Sequence, residues 1–282
     1  MSSPLLCALS LCMALSTPLA HAQYMPLPTD VQSPSAETNV KLPEFDVVSV
    51  RENKSDSGMM RWMYTADGLN ITNLSIKALI ASAYDIKQFL ISGGPSWVDS
   101  TAFDVQAKVA PEDVPAMKKL TPTQRGLMLR KILAERFHLA VHIETKTLPV
   151  YDLVLAAGGP KFKASAPNPA PSPDADPSDK PKPRSWISMG DGMLKLQDMP
   201  LSGLANQLGY SLERIVIDKT GLTGKYDLSL RWTPVNEPPA TDADPPPDLF
   251  NALQEQLGLK LEPSKGPVQT LVIDHVEMPS AN

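Results

Sequence analysis

The chain is 282 residues long and carries 26 Lys and Arg against 31 Asp and Glu, a formal net charge of −5. That balance gives it no electrostatic reason to bind nucleic acid. A hydrophobic content of 42% with 20% charged residues is ordinary for a globular protein of one large or two smaller domains.

Leu5-Leu6-Cys7-Ala8-Leu9-Ser10-Leu11-Cys12-Met13-Ala14-Leu15 is an apolar run of signal-peptide length, and Ala20-His21-Ala22 is an A-x-A cleavage site. The preceding Met1-Ser2-Ser3-Pro4 lacks Lys and Arg, so only the α-amino group is positive there. Residues 1–22 are expected to be a signal peptide, too short for a membrane span. The expected address is exported, periplasmic or extracellular, with no transmembrane segment in the mature chain. Both cysteines, Cys7 and Cys12, lie inside the signal, so a mature chain starting at Gln23 has no disulfide, thiolate metal site or Cys nucleophile. Residues 23–42, rich in Pro, Ser, Thr and Asn without periodicity, read as a disordered leader.

Phe45–Val50 reads as a first strand. Arg61–Thr65 and Leu69–Ile71 read as a hairpin, with Asp67-Gly68 supplying positive φ at the turn. Ser75 is placed to cap a helix carrying Ile76, Leu79, Ile80, Ala83 and Tyr84 on one face. A turn at Gly93–Trp97 leads to an alternating strand at Phe103–Val109. Thr121-Pro122-Thr123-Gln124 is a capping box, opening a helix with Met128, Leu129, Ile132, Leu133 and Phe137. A tight turn and two strands follow, the second at Pro149–Leu155.

Residues 164–185 hold many of the chain's 29 prolines and read as a solvated linker. Beyond it the same order returns. Asp191-Gly192 matches Asp67-Gly68, a strand follows at Met193–Leu196, and a helix carries Leu201, Leu204, Ala205 and Leu208. Ile215–Ile217, a turn at Gly221–Gly224 and the strand Tyr226–Leu230 come next, Tyr226-Asp227-Leu228 answering Phe103-Asp104-Val105. After a Pro-rich insertion at 234–247, Asp248 caps a helix with Leu249, Phe250, Leu253 and Leu257, stopped by Gly258. Glu135–Val141 faces Glu255–Leu261, and Pro149-Val150 faces Pro267-Val268, with about two residues lost from the second copy's turn. The fold class expected is α+β: two tandem copies of a small α+β module with mostly antiparallel sheets, at 43–163 and 186–282.

The spellings Phe45-Asp46-Val47-Val48-Ser49-Val50, Ile91-Ser92-Gly93-Gly94-Pro95-Ser96-Trp97, Ala134-Glu135-Arg136-Phe137 and Ile217–Asp227 resemble an uncharacterised family of secreted proteins multiplied in soil Acidobacteria. Leu253–Leu261 and Val272–Glu277 fit it too. The resemblance implies no activity. Similar domains stand behind receptor-type metallopeptidases of the antibiotic-sensing kind. Residues 197–273 are also similar to the short N-terminal domain of secretins and TonB-dependent transporters, a small α+β module that binds protein partners.

No catalytic set emerges. His138 and His142 read as strand residues sharing one face, with no third ligand at suitable spacing and no H-E-x-x-H. Lys219-Thr220-Gly221 matches the K-T-G of penicillin-recognising enzymes, but no Ser-x-x-Lys accompanies it, so it reads as a turn. Gly221-x-x-Gly224-Lys225 is too short for a phosphate loop, and G-x-S-x-G is absent. Asp67, Asp104, Asp191, Asp218 and Asp227 are the carboxylates an acid–base pair would draw on, but most of them read as turn formers or solvated charges. Trp62, Trp97, Trp186 and Trp232 are the candidate contacts for a ligand or partner, since Trp offers a flat face to sugars and peptides.

No catalytic residue, cofactor or metal is therefore assigned. The reading is an exported, non-enzymatic binding module whose partner is an envelope protein or polymer. The alternative is an exported hydrolase of wall or plant polymers acting through a carboxylate pair.

Overall fold

The computed structural model describes residues 42–55, 57–166, 185–190, 192–234 and 246–280. The expected signal peptide, almost all of the leader, Asp191 and most of the two Pro-rich stretches lie outside these residues.

In chain order the strands and helices are β1 (Phe45–Glu52), β2 (Arg61–Thr65), β3 (Gly68–Ser75), α1 (Ile76–Tyr84), β4 (Ile91–Gly93), α2 (Trp97–Ser100), β5 (Ala102–Val109), α3 (Val114–Met117), α4 (Pro122–Phe137) and β6 (Ala140–Leu155). There follow β7 (Lys163–Ala164), β8 (Trp186–Gly190), β9 (Met193–Met199), α5 (Leu201–Ser211), β10 (Val216–Asp218), β11 (Tyr226–Arg231), α6 (Leu249–Ala252) and β12 (Leu259–His275). A π-helical segment, Leu253–Leu257, continues α6 as far as Gly258.

Two sheets repeat one topology. The first has the order β1-β5-β3-β2 and the third β7-β11-β9-β8, each with antiparallel pairing throughout. The fold is thus α+β, two similarly sized regions each built of antiparallel strands and helices. The second region begins at β7, ahead of the Pro-rich stretch. Local sequence explains the helix starts. Ser75 Oγ accepts from Ala78 N, Asp248 accepts from Phe250 N and Asn251 N, and Thr121 and Gln124 form the reciprocal capping box.

The central sheet, β10-β6-β12-β4, joins the two regions. Where two strands and a turn were expected after each long helix, β6 and β12 are each one uninterrupted strand, antiparallel from Leu259↔Leu155 to His275↔Ala140. Pro149 does not end β6. Tyr151 N–H points away from β12, donating to Ile215 O at 2.9 Å, and Pro149 shares that direction two residues earlier. Its missing N–H faces a side where β6 has no neighbour among the described residues, as do those of Pro263 and Pro267 on β12, so no described ladder bond is lost. The strand β4 was not expected. It pairs in parallel with Leu271–Ile273, as β10 pairs in parallel with Tyr151–Leu153.

The cores follow this exchange. The first packs α1 and α4 against the first sheet and also takes in Leu271, Ile273 and Val276 from the last strand and its end. The second packs α5 and the π segment against the third sheet and takes in Leu153 from β6. Leu90, Val150 and Val268 form a small cluster between them.

The hairpin β2–β3 departs from expectation in its cause. Gly68 is not at positive φ, and neither Ala66 nor Asp67 is. Gly68 is the first residue of β3, and a Cβ there would lie 1.9 Å from Ala107 O, so close approach demands the glycine. In the second hairpin Gly192 does take positive φ, 68°.

Candidate functional site

A groove of about 770 Å3 opens between α1, the first turns of α4 and the end of α5. Its floor is the small-residue face Ala78, Ala81, Ser82 and Ala83 of α1. Gly126 of α4 crosses that face closely, since a Cβ on it would sit 2.9 Å from Ala83 O. The close crossing brings Arg130 to the end of α1, while Arg125, one residue before Gly126, lies over Tyr64 of β2. Tyr64 of β2 and Tyr210 of α5 form the outer walls, so both regions contribute.

The charged side chains are held individually. Arg125 Nε donates to Leu120 O at 3.3 Å, and its guanidinium lies over the Tyr64 ring at 4.6 Å. Arg130 Nε donates to Ala83 O at 2.8 Å, satisfying a carbonyl in the last turn of α1, and its guanidinium lies over Tyr84 at 4.2 Å. Lys87 Nζ crosses to the second region, donating to Asn206 O at 2.9 Å and sitting 3.2 Å from the centroid of Tyr210. Burial pushes the Lys87 amine down to about 8, with Asp85 partly opposing the shift. Burial likewise raises the Tyr64 phenol, against the lowering effect of Arg125. Asp85, in the left-handed conformation that ends α1, is the carboxylate among the lining residues.

The tryptophans named from sequence are dispersed. Trp232 is buried in the second core. Trp62 and Trp97 are half-buried against the first, edge-on to Tyr64 and Phe103. Trp186 is exposed on the edge strand β8, its indole N–H donating to Gln197. None of them lines the groove. His138 and His142 do not share a strand face. His138 is the left-handed cap of α4, and His142, on β6, bonds Asp274 at 2.8 Å. Among the described residues no group of three His, Cys, Asp or Glu is arranged to hold a metal ion. Lys219-Thr220-Gly221 is a turn, with Asp218 Oδ1 accepting from Thr220 N–H and Oγ1–H and Lys219 paired to Asp152 at 2.8 Å.

A family model described as a protein of unknown function, DUF3738, matches residues 77–276. The chain belongs to this family. No curated protein and no solved structure matches it. The match starts inside α1 and ends just past β12, so all groove residues except Tyr64 fall within the DUF3738 region. Sequence reasoning missed the groove residues. The one signal available for part of it was Gly126 inside a helix, opposite a run of small residues on α1, which marks a close helix crossing.

Proposed function

We propose that this DUF3738 protein is an exported, non-enzymatic binding module of the cell envelope or extracellular space, and that its ligand sits in the groove between α1, α4 and α5. The observation that carries the reading is the lining itself: about 770 Å3, within the usual range for small-molecule sites, with three cations, two tyrosines and one carboxylate. A glycoside hydrolase of the usual kind needs two carboxylates flanking the bond to be cut, and among the described lining residues Asp85 is the one carboxylate. No described helix is long and apolar enough to cross a membrane. The resemblance to secreted Acidobacteria proteins, and of residues 197–273 to the secretin short domain, fits an envelope module that meets a protein or polymer.

The test is a thermal-shift screen of envelope metabolites and wall fragments against the purified protein and a Ser82→Trp variant. Ser82 is an exposed residue of the groove, so the indole fills the space without entering the core. A ligand that raises the melting temperature of the natural protein, fails with the variant and is recovered unchanged supports the proposal. A ligand recovered cleaved makes the protein an enzyme, and equal shifts in both proteins move the site elsewhere. Mass spectrometry of exported material is expected to find Gln23 at the N-terminus; an intact Met1 refutes export by this signal.

A further inference from the structure

We infer that the groove takes a small ligand bearing two or more acidic groups, carboxylate or phosphate, held between Arg125 on one wall and Lys87 on the other. The inference rests on the groove being the ligand site.

Charge distribution supports it first. In a chain of net charge −5, the groove gathers Lys87, Arg125 and Arg130 against Asp85. Among the described residues none of these three cations has a carboxylate within 4.0 Å. Elsewhere Lys77 pairs with Asp99 at 2.9 Å, Lys131 with Glu44 at 2.8 Å and Lys225 with Asp198 at 3.2 Å. With Asp85 as their counter-charge, three cations in a concave, partly dry site leave it a positive excess that raises its affinity for anions. Burial adds a desolvation cost to the Lys87 ammonium, seen in its lowered titration, and an anion beside it offsets that cost.

Geometry supports it second. Each guanidinium has its Nε committed to a backbone carbonyl and one face laid on a tyrosine, so its plane is fixed. Among the described residues the terminal Nη groups have no hydrogen-bond acceptor, and they are the pair that grips a carboxylate or phosphate with two parallel bonds. Arg130 also serves as the cap of α1, which leaves Arg125 the freer of the two. The Lys87 ammonium has three N–H donors, of which one goes to Asn206 O and another faces the Tyr210 ring. A third remains. Arg125 lies against Tyr64 of β2 and Lys87 against Tyr210 of α5, so the free donor groups stand on separate elements, and a ligand with one acidic group for each satisfies both.

Isothermal titration of the purified full chain with citrate, pyrophosphate and neutral trimethyl citrate tests this, at low salt and at about 0.15 M salt. Citrate or pyrophosphate is expected to bind at a single site and more weakly at the higher salt, whereas trimethyl citrate does not bind. Which of the two anions binds more tightly identifies the acidic group. Arg125→Gln is expected to weaken binding about tenfold or more, and Arg125→Lys, which keeps charge but loses the fork, less. Lys108→Gln, on a sheet strand outside the groove, serves as the unaffected control, and each variant's melting curve verifies its fold. Trimethyl citrate binding as tightly as citrate overturns the acidic ligand, as does anion binding indifferent to Arg125→Gln or failure of both anions. If the screen with Ser82→Trp still finds a neutral groove ligand, only the ligand class has failed. If the screen too finds nothing, the groove is not a site.

Discussion

Asp104 and Asp227 hold the same kink in two different sheets. Asp104 Oδ1 accepts the backbone N–H of Asn73 at 3.0 Å and Asn53 Nδ2–H at 2.7 Å. Asp227 Oδ1 accepts the backbone N–H of Asp198 at 2.8 Å and Ser165 Oγ–H at 2.6 Å. Asn73 and Asp198 are both left-handed, at φ of 58° and 52°, where β3 slips register against β5 and β9 against β11. A bulge frees an N–H from the ladder, and the carboxylate on the facing strand takes it up.

Replacing Asp104 by Ala strands that N–H in a partly buried position, and the expected loss of stability is about 1–3 kcal/mol. The Asp227 pair is exposed, so Asp227→Ala is expected to lose about 0.5–1.5 kcal/mol. Asp104→Asn and Asp227→Asn keep an acceptor oxygen and are expected to fall between wild type and Ala. Urea unfolding measures all four; an Asp104→Asn protein no more stable than Asp104→Ala shows that the acceptor oxygen is not what matters.

Leu133 and Leu253 are fully buried at matching places on α4 and the π segment, so truncation of either to Ala is expected to cost about 2–5 kcal/mol. The first core includes Leu271 and Ile273 of β12, and the second Leu153 of β6. Both variants are therefore expected to melt in a single transition at a lower temperature. Calorimetry resolving two transitions contradicts the shared core.

His138 and Gly258 occupy the same left-handed cap, at φ of 48° and 65°. His138→Gly relieves a conformation that side chains dislike, and a gain of about 0.5–1 kcal/mol is expected, less whatever the 4.0 Å approach to Glu277 contributes. Gly258→Ala places a Cβ 2.1 Å from Gly159 O, so backbone must shift, and a loss of about 1–3 kcal/mol is expected. Denaturant midpoints with opposite signs check the pair.

Lys87 gives the protein a signature at alkaline pH. Its folded amine titrates at about 8, and an unfolded lysine at about 10.4. Between these values the unfolded chain holds more protons, so the lysine's contribution makes stability rise with pH across that window, and its burial penalty is complete below about 8. Relative to Lys87→Met, the natural protein is expected to gain stability from about pH 8 to about pH 10. A difference that stays flat across that range refutes the depressed amine.

Local signals were legible and long-range ones were not. Thr121, Gln124, Ser75 and Asp248 announce their helices because capping depends on residues three apart. The three residues of β4 carry no such sign, as their partner strand is Leu271–Ile273, far along the chain. Pro149 reads as a break until the neighbouring strands are known. The groove was hidden for the same reason. Lys87 follows α1, Arg125 is on α4 and Tyr210 on α5, and the crossing of α1 with α4 and the reach of Lys87 to α5 bring them together.

The pairing of β6 with β12 in the central sheet ties the two regions to each other. Each region has its own sheet and helices but takes core residues from the other's long strand, and β7, just ahead of the Pro-rich stretch, completes the third sheet. A cut between Ala166 and Ser185 leaves every described strand and helix whole, and the two fragments are expected to copurify and refold from a mixture. Alone, the first fragment lacks Leu271, Ile273 and Val276 and the second lacks Leu153, so each is expected to leave part of its core exposed.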